Sequence, residues 1–102
     1  MQRLCGMIGM ARRAGEVVMG TELVCTAMPK GKVKLVLISS TASDQTKKKL
    51  SVKSEFYRIP YVVADIDTES LGRILGKSCA VAGIAITGAG LAEEIRKAAV
   101  SN

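Results

Sequence analysis

The sequence has no histidine and no tryptophan, and its aromatic residues are one phenylalanine and two tyrosines in 102 positions. Without histidine it lacks the commonest general base and the commonest metal ligand. With three rings it cannot build an aromatic core, so the interior must be aliphatic, and a platform that stacks single-stranded bases is disfavoured. Three cysteines, Cys5, Cys25 and Cys79, stand far apart with no C-x-x-C among them. An odd count at that spacing suits neither a zinc site nor a disulfide framework. Each lies among apolar neighbours and is expected as a buried thiol in a reducing compartment. No apolar run approaches the roughly 18 residues of a membrane span. The apolar segment LCGMIGMA, residues 4–11, is followed by Arg12 and Arg13, where a secretory signal would need small residues for cleavage. The expectation is a cytoplasmic protein with no membrane partner, no metal and no cofactor.

Hydrophobic residues make up 48% of the chain, too many for a disordered tail, and the length suits one domain over residues 1–102. The net charge is +6 and is unevenly placed. Residues 23–54 hold seven lysines (Lys30, Lys32, Lys34, Lys47, Lys48, Lys49 and Lys53) against Asp44 alone, so this segment carries the whole excess. Such a patch suggests a polyanionic partner, although a solvated lysine-rich surface has the same composition.

Leu4, Met7, Ile8, Ala11 and Ala14 recur at helical spacing and predict a helix over about 2–14, with Gly15 closing it. Val17–Met19 is a short strand. A second helix starts at Gly20 or Thr21 with Leu23, Val24, Ala27 and Met28 as its apolar face, and Pro29 ends it. VKLVLIS, residues 33–39, reads as a strand buried on both faces. Thr41 and Asp44 suggest a capping box for a third helix that runs to about Ser54 with its lysines mostly outward. A strand at 61–63 follows. Asp67 or Thr68 then caps a helix over 68–75 that buries Leu71, Ile74 and Leu75 and stops at Gly76. AVAGIAI, residues 80–86, is the last strand. Thr87 caps a final helix that buries Leu91, Ile95, Ala98 and Ala99. Strands and helices alternate as αβαβαβαβα. That order predicts an α/β fold: a three-layer α/β/α sandwich around a mixed four-stranded sheet.

Two stretches bear on catalysis. GRILGKS, residues 72–78, ends like a phosphate-binding loop, but its first glycine is one residue too close and the preceding pattern is helical. TGAGLAEEI, residues 87–95, has Gly88 and Gly90 between a strand and a helix, where phosphate can bind. Glu93 stands where the dinucleotide fingerprint needs its third glycine. Asp65, Asp67 and Glu69, and the pair Glu93 and Glu94, fall on helix ends and exposed faces where the helix dipole accounts for them. No nucleophile has an evident base. A non-enzymatic protein is expected, with a small phosphate- or nucleotide-ligand enzyme using Gly88 and Gly90 as the alternative.

VVMGTELVCTAM, residues 17–28, puts a glycine where a strand runs into a helix. Aspartate, serine or asparagine would cap that helix as well. Gly20 admits a ligand to the helix-opening N–H groups with no Cβ in the way. Thr21 adds a hydroxyl, the Glu22 carboxylate can accept from guanine N–H groups, and Lys32 and Lys34 follow closely enough to hold flanking phosphates. An ordinary N-cap on a surface helix fits these residues equally well.

GMARRAGEVVMGTELV, GKVKLVLISSTAS, TKKKL, ESLGRILGKS and AVAGIAITGAGLAEEI, in that order and spacing, resemble the kink-turn RNA-binding ribosomal protein family, whose members are written with seven-Ae and thirty-e, and within it the bacterial YlxQ-like branch. The resemblance covers nearly the whole chain. It implies the α/β/α sandwich and an RNA partner, not DNA. That partner is a duplex bent sharply at an internal loop with tandem sheared G·A pairs, and ribosome association is implied with it. In such proteins the N-terminus of the second helix meets the RNA, and Gly20 and Thr21 match the first positions of that motif. A more apolar loop covers the extruded nucleotide, which matches Lys77, Ser78, Cys79, Ala80 and Val81. Lys32 and Lys34 match a basic G-K-x-K-L-V element. The chain departs from the pattern at Glu22, Leu23 and Thr26. Strong binders there carry Asn or Lys, then Glu or Gln, then Lys. Weaker or differently tuned RNA binding follows, and a protein-interaction module on the same fold is the second alternative.

Overall fold

The two uninterrupted aliphatic runs form the centre of the sheet. β2 (Leu35–Ser39) and β4 (Gly83–Ile86) are buried at every position. The structure, a computed structural model, describes residues 2–100. In it α1 (Gln2–Arg13), β1 (Val17–Met19), α2 (Thr21–Ala27), a 3₁₀ turn (Met28–Lys30), β2, α3 (Asp44–Phe56), β3 (Tyr61–Ala64), α4 (Thr68–Ile74), β4 and α5 (Ala89–Val100) follow in order. The strand order is β1-β4-β2-β3. β4 runs antiparallel to both of its neighbours, and β2 and β3 are parallel.

Alternate residues of the central strands face opposite ways, as the pleat requires. Leu35, Leu37, Ile84 and Ile86 pack with Leu4, Ile8 and Ala11 of α1, Leu71 and Leu75 beside α4, and Ala92, Ile95 and Ala98 of α5. Val36, Ile38 and Ala85 pack on the other face with Val24, Met28 and Leu50, from α2, the 3₁₀ turn and α3. Helices thus cover both faces of a mixed sheet, the three-layer sandwich that the alternating elements predict.

Several local expectations change. β2 begins at Leu35, not Val33. β4 begins at Gly83, because residues 80–82 form a loop whose Val81 N–H donates to Thr68 O at 3.0 Å. Ser43, not Thr41, caps α3, its hydroxyl accepting from Thr46 N at 3.1 Å. The Thr41 hydroxyl is engaged elsewhere, accepting from Thr68 N at 3.0 Å. α5 starts at Ala89, with Gly88 O accepting its first helical bond from Ala92 N at 2.9 Å, so Gly88 and not Thr87 stands at the cap. Asp67 caps α4 as expected, accepting from Ser70 N at 3.4 Å. Hydrogen bonding from the Ser70 side chain, and to a lesser degree from its backbone N–H, holds the Asp67 carboxyl below the usual range. Ala14 is exposed past the end of α1, and Ile74, Leu91 and Ala99 are only half-buried.

The thiols also differ from expectation. Cys79 is exposed, and Cys5 and Cys25 are half-buried. Leu23 does not join the buried face of α2 either, being 62% exposed. The helix is one short segment over the sheet, and its buried arc is narrow, with Val24 and Met28 a turn apart filling it.

Candidate nucleic-acid interface

Gly20 stands before α2 at φ 97°, ψ 142°, a backbone region essentially reserved for glycine. A Cβ built there would meet no protein atom within 4 Å, so the space in front of it is open. The glycine is therefore required by conformation and not by internal packing. Its own polar groups are both used: the N–H donates to Gly83 O at 3.1 Å, and the carbonyl accepts from Val24 N at 2.9 Å. Of the helix-opening N–H groups to which Gly20 was expected to admit a ligand, its own is therefore not one. The free donors lie one residue on. The N–H groups of Thr21, Glu22 and Leu23 have no partner among the described residues, as the first turn of an uncapped helix leaves them.

The loop after α4 faces this helix end. Gly76, at φ 73°, turns the chain out of α4, and Lys77 N–H donates back to Gly72 O at 2.9 Å. Gly72 has no room for a side chain, because the Cys79 carbonyl occupies the place of a Cβ. Ala82 O then accepts from Ser39 N at 2.8 Å. Seated at these points, Lys77, Cys79, Ala80 and Val81 combine with Met19, Gly20 and Thr21 around an open hollow of about 370 Å³. Its floor is mostly apolar, one cationic side chain stands at its rim, and free amides lie alongside. An extended polyanion with a displaced apolar face fits such a surface chemically.

Glu22 lies outside that hollow. With Thr21, Gln45, Thr46 and Lys49 it lines a neighbouring one, and its carboxylate accepts from Lys49 Nζ at 2.7 Å. The hydrogen bond from Lys49 and the lysine's charge lower the pKa of Glu22, and the same contact raises that of Lys49. The negative charge at this helix end is thus matched by a cation. Sequence reading missed Lys49 as a partner. It lies 27 residues away in TKKKL, where nothing distinguishes it from Lys47 and Lys48.

Lys32 and Lys34 are exposed but stand elsewhere. Lys34 N–H donates to Ile86 O, whereas Gly20 N–H reaches Gly83 O at the other end of β4. Three residues of strand, about 10 Å, separate the two places along the sheet. The structure therefore brings together Gly20, Thr21, Lys77, Cys79, Ala80 and Val81, sets Glu22 beside them, and leaves Lys32 and Lys34 at the opposite end.

The two enzyme-like motifs are accounted for structurally. Residues 72–74 of GRILGKS belong to α4. The start of α5 is covered by the protein itself: the Glu16 carboxylate lies where a side chain on Gly88 would project. A phosphate there would meet a carboxylate instead of open amides.

A mixed sheet between two helical layers, with an uncapped helix end facing an apolar loop, defines a class of small α/β/α binding domains. Residues 2–96 match the model of the Ribosomal protein L7Ae/L30e/S12e/Gadd45 family, and the chain belongs to that family. It is 36% identical over 89 residues to the RNA-binding protein YlxQ of Bacillus subtilis (strain 168), covering 87% of each chain. It is 34% identical over 87 residues to the RNA-binding protein YlxQ of Enterococcus faecium, covering 85% of this chain and 84% of that one. Among solved structures, a Bacillus halodurans C protein of unknown function superposes with a TM-score of 0.87 at 34% identity, over 98% of both chains. The Giardia lamblia 15.5kD RNA binding protein shares the fold, with a TM-score of 0.79 at 21% identity over 98% of this chain and 87% of that one.

Proposed function

We propose that this protein binds RNA through the α2 end and the facing loop, recognising a kink-turn, and that it acts without catalysis in the cytoplasm in association with the ribosome. One observation carries the reading. Two segments far apart in sequence meet around one hollow beside three unpartnered amides. Straight A-form RNA hides its base edges in a deep groove, whereas a bent internal loop exposes them. The amides of Thr21, Glu22 and Leu23 donate to acceptor atoms on the guanine edges. Lys77 neutralises a phosphate at the rim. Ala80, Val81 and the Cys79 side chain shelter the extruded base. Glu22 accepts from guanine N–H groups only when it turns from Lys49, so base recognition and release of that lysine toward a phosphate are coupled.

A gel shift tests this with a kink-turn RNA and the same RNA carrying Watson–Crick pairs in place of its sheared G·A pairs. Tight binding to the first alone is expected, and equal binding to both refutes the reading. The 62% exposure of Leu23 beside the hollow favours a second reading, a protein partner docked at this end. Salt separates the two, since log affinity for RNA falls linearly with log salt and an apolar protein contact responds little.

A further inference from the structure

The chain has three aromatic residues, and none is in the core. Phe56 is 76% exposed, and Tyr57 and Tyr61 are 37% exposed. All three fall close together in sequence, at the junction of α3 and β3. The rings of Phe56 and Tyr57 meet edge to face with centroids 4.9 Å apart. The Tyr61 hydroxyl donates to Glu55 Oε2 at 2.9 Å, which ties that ring to α3 and occupies the carboxylate nearest the cluster. The composition alone argued against a stacking platform, but the fold pairs two of its three rings and ties the third to the same helix end.

Three exposed cations stand near these rings along the chain and the sheet. Lys53 lies one turn before Phe56 on α3. Arg58 follows at once, and Lys34 precedes β2 two residues before Val36, which lies beside Tyr61 in the sheet. None of the three is in an ion pair among the described residues. Arg58 has a further peculiarity. Its N–H donates to Glu55 O and that of Ile59 to Ser54 O, the two bonds of a Schellman ending to α3. Arg58 therefore sits at φ 58° in the position glycine normally takes, and no other non-glycine residue among those described has a positive φ. An arginine is held where the backbone favours glycine, and a charged group is thereby presented beside exposed rings.

We infer that the α3–β3 junction is a second RNA contact, separate from the α2 end, in which an unpaired base stacks on Phe56 while Lys34, Lys53 and Arg58 hold its phosphates. Every base has a π face, and aromatic rings set among cations bind single-stranded nucleic acid with little sequence preference. This assignment also gives Lys34 a role at the end of the sheet where it stands. It does not depend on the kink-turn reading.

The probe is a ten-nucleotide oligouridine, with binding followed by anisotropy and folding by melting temperature. Phe56→Ala should weaken binding about tenfold without lowering the melting temperature. Phe56→Leu should do the same, and Phe56→Trp should retain affinity. Arg58→Gly should raise the melting temperature and yet weaken binding. Gly20→Asp, at the other end, should bind the oligomer like the unaltered protein, and Phe56→Ala should bind a blunt-ended kink-turn RNA like the unaltered protein. The inference falls if the unaltered protein does not bind oligouridine, or if Phe56→Ala or Phe56→Leu binds it undiminished. It falls also if Gly20→Asp abolishes the binding, which would mean one site only. Failure of the kink-turn reading shows separately, as equal affinity of the unaltered protein for bent and straight duplexes.

Discussion

Replacing Gly20 with alanine separates the two reasons a glycine can be needed. At φ 97°, ψ 142° an alanine is strained by about 1–3 kcal/mol. Domains of this size lose about 4–8 °C of melting temperature per kcal/mol, so a central value near 2 kcal/mol lowers the midpoint by about 10 °C. Total stability of about 5–15 kcal/mol leaves the variant folded, because the new methyl group meets no protein atom. It projects into the open space that the RNA is proposed to fill. Loss of about 2 kcal/mol of hydrogen bonding there corresponds to roughly thirtyfold in affinity. Gly31 supplies the control. It also has a positive φ, 77°, and a methyl group there would likewise meet nothing within 4 Å, but it lies outside the hollow. Gly31→Ala, in the αL region that L residues enter at about 1–2 kcal/mol, should lose somewhat less stability, by thermal denaturation, and keep its RNA affinity, by gel shift at the same salt. If both variants lose affinity alike, strain and not contact is responsible. If Gly20→Ala binds as the unaltered protein does, the helix end is not the recognition surface.

Gly72→Ala should drive a methyl group into the Cys79 carbonyl, cost about 1–3 kcal/mol by overpacking, and displace the loop. Kink-turn affinity should fall, and the fall should disappear with an RNA that lacks the extruded nucleotide, as gel shifts would read. The carboxyls of Glu22, Asp67 and Glu93 are all held below their usual range. Each therefore stabilises the fold fully above the ordinary carboxylate pKa, and that contribution is lost as pH falls through the lowered value. With no histidine to titrate, the melting temperature should stay level from about pH 6 to 8 and drop only below about pH 4. A transition near neutrality would contradict this.

Much of the fold was legible because its signals are local. Unbroken aliphatic runs marked β2 and β4 as strands without an exposed polar face, since a strand covered on both faces dispenses with polar alternation. Gly15 and Gly76 marked helix ends, and both have the positive φ that such ends favour. The junction at Gly20 stood out for the same reason, as a residue whose backbone freedom is used where it stands.

What the residues could not reveal alone were the partners each would find across the fold. Thr41 and Ser43 are equally good caps by type, and the choice fell to Ser43 because α4 claims the Thr41 hydroxyl. Glu22 reads as a free acceptor until Lys49 arrives from α3. Lys32 and Lys34 look adjacent to α2 along the chain, but a helix carries the chain from one end of the sheet to the other, so nearness in sequence became distance in space. The sequence by itself determined the order and kind of the elements, because hydrophobic period and turn chemistry act over a few neighbouring residues. Only the tertiary structure decided which side chains share a surface, because hydrogen bonds and charges pair by distance, and folding brings together groups that the chain keeps far apart.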